Sequence, residues 1–316
     1  MTNHSPGERR PAPSSRDLEL PPAAAPAIVT NTVARPWSRR RFMGGAVGLA
    51  ALASFTAACG ADVSASSLQP GALAGPKGSP GTAAASVDDD LIKQRYGLKP
   101  FPPAPPPPAV KPVTLSASDP TVFSSVPMTD KVVFVTIDDG AEKEPGLIQL
   151  VKDFQVPITI ELANLFIRDD YAYFEKLYQT GFVSIQNHTV DHPLNMAALS
   201  AAQQLDQIAG QQAILRKQYG VTPYVFRPPG GNYDETTVTA TAQAGLKGVM
   251  LWKESMQISD LQYQTSVHRL SPGDIILAHF RGPAQLDGES MVRMMTRLFR
   301  HIQDQGFTIG NLEDYV

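Results

Sequence analysis

The chain has 316 residues, 42% hydrophobic and 18% charged, enough to bury a substantial core in one or two domains. Its net charge is −3, but the stretch before Cys59 carries seven Arg against three acids, so the remainder is acidic at −7. An acidic body without clustered Lys and Arg excludes nucleic-acid binding, because phosphate backbones demand cationic patches.

Residues 1–59 read as an export signal. Within "SRRRFMGGAVGLAALASFTAACG", Ser38, Arg39, Arg40, Phe42 and Met43 form a twin-arginine pattern, and an apolar run follows to Ala58. That run is shorter than the roughly 20 residues that cross a bilayer comfortably, so a cleaved signal is expected rather than a permanent span. Cys59, the sole cysteine, follows Thr56, Ala57 and Ala58 in a pattern that resembles a lipobox, with Thr56 where Leu or Val is usual. Acylation at Cys59 would hold the protein on the outer face of the cytoplasmic membrane; without it the product is secreted. A single Cys excludes an intrachain disulfide, and the mature body beyond it has no thiol for catalysis.

Residues 60–112 are rich in Ala, Gly, Ser and Pro and end in "PFPPAPPPPAVKP". This composition predicts a semi-stiff polyproline spacer, in which 99–112 alone would reach about 40 Å. Asp88, Asp89 and Asp90 read as a solvated acidic run.

From residue 113 to 316 apolar runs alternate with helical patterns. Strands are predicted at 132–137, 158–162, 182–186, 223–226, 248–252, 274–279 and 307–309. Helices are predicted at 145–154, 200–219, 234–244 and 289–305, with Ser200 as a cap and Gly220, Gly245 and Gly306 as stops. Tyr171, Tyr173, Phe174 and Tyr178 decorate a further helix packed on the sheet. Alternating strand and helix predicts an α/β fold with a parallel sheet, open or closed into a barrel.

Polar clusters fall at the carboxyl ends of these strands. Asp138 and Asp139 follow the first, "NHTVDH" the third, "RPPGG" the fourth, "WKES" the fifth, and His279 ends "DIILAH". In parallel α/β folds those ends share one face, which carries the active site. His188 and His192 are spaced to put both imidazoles on one face of a helical turn, where they suit a divalent metal. One aspartate of the Asp138–Asp139 pair supplies a third ligand, and two His with one carboxylate leave positions open for water and substrate.

The ordered motifs "TIDDG", "NHTVDHP", "RPPGG" and "LAH" resemble those of the NodB-type polysaccharide deacetylases, carbohydrate esterase family four, over residues 125–316. The resemblance implies a distorted seven-stranded (β/α) barrel at 113–316, preceded by a disordered signal and the Pro-rich linker. It implies a hydrolase of linear amides that removes N-acetyl groups from N-acetylglucosamine-type glycans, with a peptidoglycan or chitin-like polysaccharide as partner. One divalent metal is implied, with Zn expected and Co, Mn and Ni suited to the same donors. A monomer is expected.

Carried over by position, the resemblance makes Asp138 the general base, Asp139, His188 and His192 the metal ligands, and Arg227 the residue holding the base. It makes His279 the general acid and Leu277 an apolar wall near the acetyl methyl. The Gly230 N–H joins the metal in stabilising the oxyanion, and Trp252 divides between core packing and substrate contact. The chain departs from the family at Ile137 (usually Phe), Ala141 (usually Pro) and Gly230 (commonly aromatic). It also lacks the Asp-containing motif after Trp252 that tunes the acid histidine, where Glu254 or Asp260 would have to substitute. Competing readings are an O-acetyl esterase or small cyclic-amide hydrolase on the same site, and a degenerate glycan-binding lipoprotein without activity.

Overall fold

The computed structural model describes residues 88–316. The expected signal at 1–59, Cys59 and the spacer as far as residue 87 lie outside the described residues. Among the described residues no helix is long and apolar enough to cross a membrane.

The described chain opens with α1 (Asp89–Tyr96) and β1 (Thr121–Phe123), followed by β2 (Val132–Asp139), α2 (Pro145–Phe154) and β3 (Ile158–Leu162). A single turn α3 (Asn164–Ile167), α4 (Tyr171–Tyr178), β4 (Val183–Asn187), α5 (Ala201–Tyr219), β5 (Val225–Phe226), α6 (Glu235–Gln243) and β6 (Gly248–Met250) come next. The hairpin β7 (Glu254–Met256) and β8 (Leu261–Tyr263) precedes β9 (Ile275–His279), α7 (Met291–Asp304) and β10 (Thr308–Ile309).

The strands run β1-β6-β5-β4-β3-β2-β9-β7-β8, and β10 pairs with the start of β2. Every pairing but the β7–β8 hairpin is parallel. β6 pairs with β5 while β7 pairs with β9, so the short step from Met250 to Glu254 joins the two strands next to the ends of the row and curls the sheet into a distorted barrel. All seven expected strands are present. The three unexpected ones, β1, β7 and β8, have three residues each.

Side-chain alternation along β2 sorts two cores. Val133, Val135 and Ile137 face outward into the layer of helices, with Leu147, Phe174 and Leu298. Val132 and Phe134 face the barrel interior, with Trp252, Leu277 and Tyr315. Buried on both sides, β2 reads as a continuous apolar run, as strands of parallel sheets do. α5 starts with a capping box between Ser200 and Gln203 and stops at Gly220, whose φ is 69°. Asp234 caps α6 with a similar box to Thr237, and Ser290 caps α7 by accepting from the Arg293 N–H.

Residues 88–112 depart from the expected spacer. Asp88 caps α1 through the Leu91 N–H, Asp89 and Asp90 lie in its first turn, and Gly97 ends it at φ 64°. α1 buries Ile92, and Phe101 stands edge-on to Phe299 at 5.4 Å. The proline-rich strap that follows has no internal hydrogen bonds, and the domain takes up several of its carbonyls. Gln303 donates to Lys99 O and Thr308 to Pro102 O, while Lys111 donates in turn to Val316 O at 2.7 Å. Proline forbids helix here, not docking, so residues 88–112 belong to the folded body expected to start at 113.

Candidate metal centre and catalytic site

β2 delivers Asp138 and Asp139 to the carboxyl end of the barrel and then turns sharply. Asp139 has φ 82° and Gly140 φ 98°, and a Cβ on Gly140 would come 2.4 Å from Ile167 Cγ2. Only glycine fits that turn. Asp139, Thr189 and His192 are three of the five non-glycine residues with positive φ among the described residues. Each such residue costs about 1–3 kcal/mol, and such strain gathers at functional sites.

The loop after β4 is not the helical turn expected from the His188–His192 spacing. Thr189 at φ 74° and His192 at φ 53° break any helix. The loop is shaped instead by side chains: Asn187 Oδ1 accepts from the Thr189 N–H at 3.0 Å, and Gln207 Oε1 from the Asp191 N–H at 2.8 Å. The two imidazoles nevertheless meet, with ring centres 4.9 Å apart.

Their ligand atoms converge on Asp139. His192 Nε2 lies 3.0 Å and His188 Nε2 3.5 Å from Asp139 Oδ1, and the donor atoms of the three residues all fall within 4.8 Å of one another. His188 Nδ1 is 2.7 Å from Arg227 O, a carbonyl that can only accept, so Nδ1 carries the hydrogen and Nε2 turns a lone pair toward the carboxylates. These three residues, with a buried oxygen on Asp139 that lacks a well-formed hydrogen bond, could hold a metal ion. Burial would raise the Asp139 pKa, but the two imidazoles hold it well below the usual carboxylate range. Burial opposes the charged form of His188, and Asp138 and Asp139 outweigh it and raise its pKa. Both shifts express the pull of this pocket on positive charge.

Asp138 is fixed by Arg227, which is fully buried. Arg227 Nη1 reaches Asp138 Oδ1 at 2.6 Å and Thr136 Oγ1 at 2.8 Å, while Nε and Nη2 donate to Met250 O and Leu251 O at 3.2 Å. Asp138 Oδ2 is thereby aimed at the metal centre, 3.7 Å from His188 Nε2. Trp252 lies over the guanidinium at 5.8 Å, and a Cβ on Gly231 would strike its ring at 2.9 Å. At 6% exposure it belongs to the barrel core. Of the two roles expected of it, core packing and substrate contact, this burial agrees with packing.

His279 stands directly opposite Asp138 in the β2–β9 register. Burial lowers its pKa to about 4, Arg281 acts in the same direction, and Asp139 opposes both. Its Nδ1 is buried without a partner among the described residues. Neither expected substitute for the tuning carboxylate reaches it. Glu254 pairs with Ile276, three residues short of His279, and shares a buried site with Asp274. Asp260 accepts from the Leu261 N–H. Leu277 is buried and faces inward, and Gly230 is exposed at φ 63° beside Leu194 O.

The sequence reading missed Glu161. It pairs with Asp138 across β2 and β3, is fully buried with both carboxyl oxygens unpartnered, and burial pushes its pKa well above the usual range. The signal was a lone acid in the apolar run "ITIEL".

A family model for polysaccharide deacetylase matches residues 125–249. An uncharacterized protein of Streptomyces coelicolor is 37% identical over 198 residues, 62% of this chain and 78% of that protein. The chain belongs to the polysaccharide deacetylase family. It is a hydrolase of amide bonds, as that family is. A peptidoglycan-N-acetylglucosamine deacetylase of Bacillus cereus is 22% identical over 60% of this chain and 92% of its own. The crystal structure of the Bc1960 peptidoglycan N-acetylglucosamine deacetylase shares the fold, with a TM-score of 0.52 and 22% identity over 62% of this chain and 92% of that one.

Proposed function

We propose that this deacetylase is a metal-dependent enzyme that removes N-acetyl groups from an extracellular or cell-wall glycan of the N-acetylglucosamine type. The observation that carries the reading is the convergence of Asp139, His188 and His192 within 4.8 Å beside an Arg-held carboxylate. Those three residues would hold one divalent ion, Zn by its donor set, with Co, Mn or Ni as alternatives. When bound, the ion polarises the amide carbonyl and acidifies water.

The chain's own residues supply the rest. Asp138, oriented by Arg227, takes the proton of the attacking water. The exposed Gly230 N–H faces the oxyanion. His279, across from Asp138, gives the proton that lets the amine leave. Leu277 walls the acetyl methyl. The export pattern before residue 60 supports a site of action outside the cytoplasmic membrane, with Cys59 as a lipid anchor.

A second reading, an O-acetyl esterase, is favoured by one observation. Burial lowers the His279 pKa to about 4 and its Nδ1 has no partner among the described residues, which leaves it a weak proton carrier at neutral pH. An alcohol leaves an ester with less protonation than an amine leaves an amide. Free amine and acetate released from N-acetylchitooligosaccharides and peptidoglycan, with chelator and after restoring Zn or Co, separate the two. Chelator-sensitive release of both products is expected. Acetate released without amine would replace the deacetylase with the esterase.

A further inference from the structure

α5 breaks the pattern of a helix packed on a sheet. The face it turns inward carries Gln204, Gln211 and Gln212 beside Ile208 and Leu215, all of them buried. A helix that only covers a sheet presents apolar side chains there, and a buried amide is costly unless it is hydrogen-bonded. Two of the three glutamines hold the strand ends that carry the site. Gln211 Nε2 donates to Leu162 O, at the end of β3, at 2.6 Å, and Gln212 Oε1 accepts from Asn187 Nδ2, at the end of β4, at 3.0 Å. Asn187 Nδ2 also donates to Ile208 O at 3.0 Å, so the residue that shapes the turn at Thr189 is itself fixed by α5.

The helix also grips the segment between the two histidines. Gln207, half-buried one turn before Gln211, takes Asp191 at two points. Its Oε1 accepts the Asp191 N–H at 2.8 Å, and its Nε2 donates to Asp191 Oδ2 at 2.7 Å. The Gln207 carbonyl accepts the Val190 N–H at 3.2 Å, and a Cβ on Gly210 would come 2.9 Å from Val190 Cγ2, so helix and loop touch. Thr189 and His192 flank this clasp, both at positive φ, and such backbone persists only where its surroundings over-determine it. Asp191 is solvent-exposed and stands outside the three converging residues. Its clasp therefore serves the backbone that presents His192, 3.0 Å from Asp139, rather than the ligand set itself. We infer that Gln207 is a positioning residue of the metal centre, fixing through Asp191 the strained backbone that aims His192 at Asp139. The inference rests on the metal-dependent reading and gives α5 a part in it.

The test is zinc binding to the metal-free full chain by calorimetry, beside urea unfolding of the same metal-free preparations. Gln207→Ala removes the clasp at a half-buried position where alanine suits the helix. Zinc affinity is expected to fall about 10–100-fold, as when outer partners of metal ligands are lost, while the unfolding midpoint of the metal-free protein hardly moves. Gln207→Glu combined with Asp191→Asn leaves the net charge unchanged and turns the side-chain hydrogen bond round, amide now donating to carboxylate from the loop side. This reversed pair should bind zinc close to the wild-type affinity. Equal zinc affinity in the wild type and Gln207→Ala overturns the inference, as does a reversed pair no better than Gln207→Ala. A loss of affinity matched by an equal loss of unfolding free energy in the metal-free protein overturns it in favour of a purely structural helix contact. The metal-dependent reading fails separately. No zinc binding by the wild type ends that reading and the role of Gln207 with it, whereas wild-type binding that is indifferent to Gln207 counts against the clasp alone.

Discussion

Arg227 and Asp138 form an ion pair of 2.6 Å wholly inside the barrel, and it is the only ion pair of Arg227 among the described residues. Taking away one member of such a pair leaves the other buried and uncompensated, at a cost of about 3–5 kcal/mol. Arg227→Met is therefore expected to lose that much in urea unfolding. The double variant with Asp138→Asn should regain part of it, since neither side then carries a charge.

Asp138→Asn alone should separate chemistry from metal binding. The amide keeps the shape and can still face Arg227, but it cannot take a proton. Turnover is expected to fall by at least about 10²–10⁴-fold, with one metal per chain retained. Kinetics beside metal analysis of the same preparation checks both; substantial residual activity would assign the base elsewhere.

Glu254 and Asp274 share a buried site, and burial raises the pKa of each. A folded pKa above the unfolded one means the native state binds more protons. The stability contributed is then full below the ordinary carboxyl range, about pH 4.5, and is lost as pH rises above it. The melting temperature should fall from pH 5 toward pH 9, and Glu254→Gln should flatten that slope. An unchanged slope would place the pair's ionisation outside the folding balance.

The turn after β2 has no room for a side chain. Gly140→Ala meets both the positive φ and the Ile167 methyl, so a loss of about 1–3 kcal/mol is expected, with metal affinity falling as Asp139 shifts. Pairing it with Ile167→Ala relieves the contact but not the backbone, so partial recovery is the outcome that fits. Thermal melts with and without added Zn resolve the two effects.

What the sequence reveals follows from how the information is carried. β2, β3 and β9 are legible because strands covered on both faces must be apolar throughout, and their polar ends then stand out. α5 is legible from Ser200 and Gly220. The β7–β8 hairpin is not, because its first strand opens on Glu254, a carboxylate buried beside Asp274 that breaks the apolar pattern. The docked strap at 88–112 hides for another reason. Its composition says what it cannot form, while its attachment depends on Gln303 and Thr308, some 200 residues away. The Asp88 cap and Gly97 stop were nonetheless a helix signal in plain sight. At the site, residue identities pointed to the three residues that converge, but only the fold shows that His279 Nδ1 has no partner among the described residues and that Glu161 pairs with Asp138.

Zinc titration of the metal-free protein, followed by calorimetry in the wild type and in Asp139→Ala, His188→Ala and His192→Ala, bears most directly on the site. One equivalent should bind to the wild type, and each substitution should weaken it at least about tenfold, because each removes one of three protein ligands. Binding that survives all three substitutions, or no binding by the wild type at all, would contradict a metal centre at the end of β2.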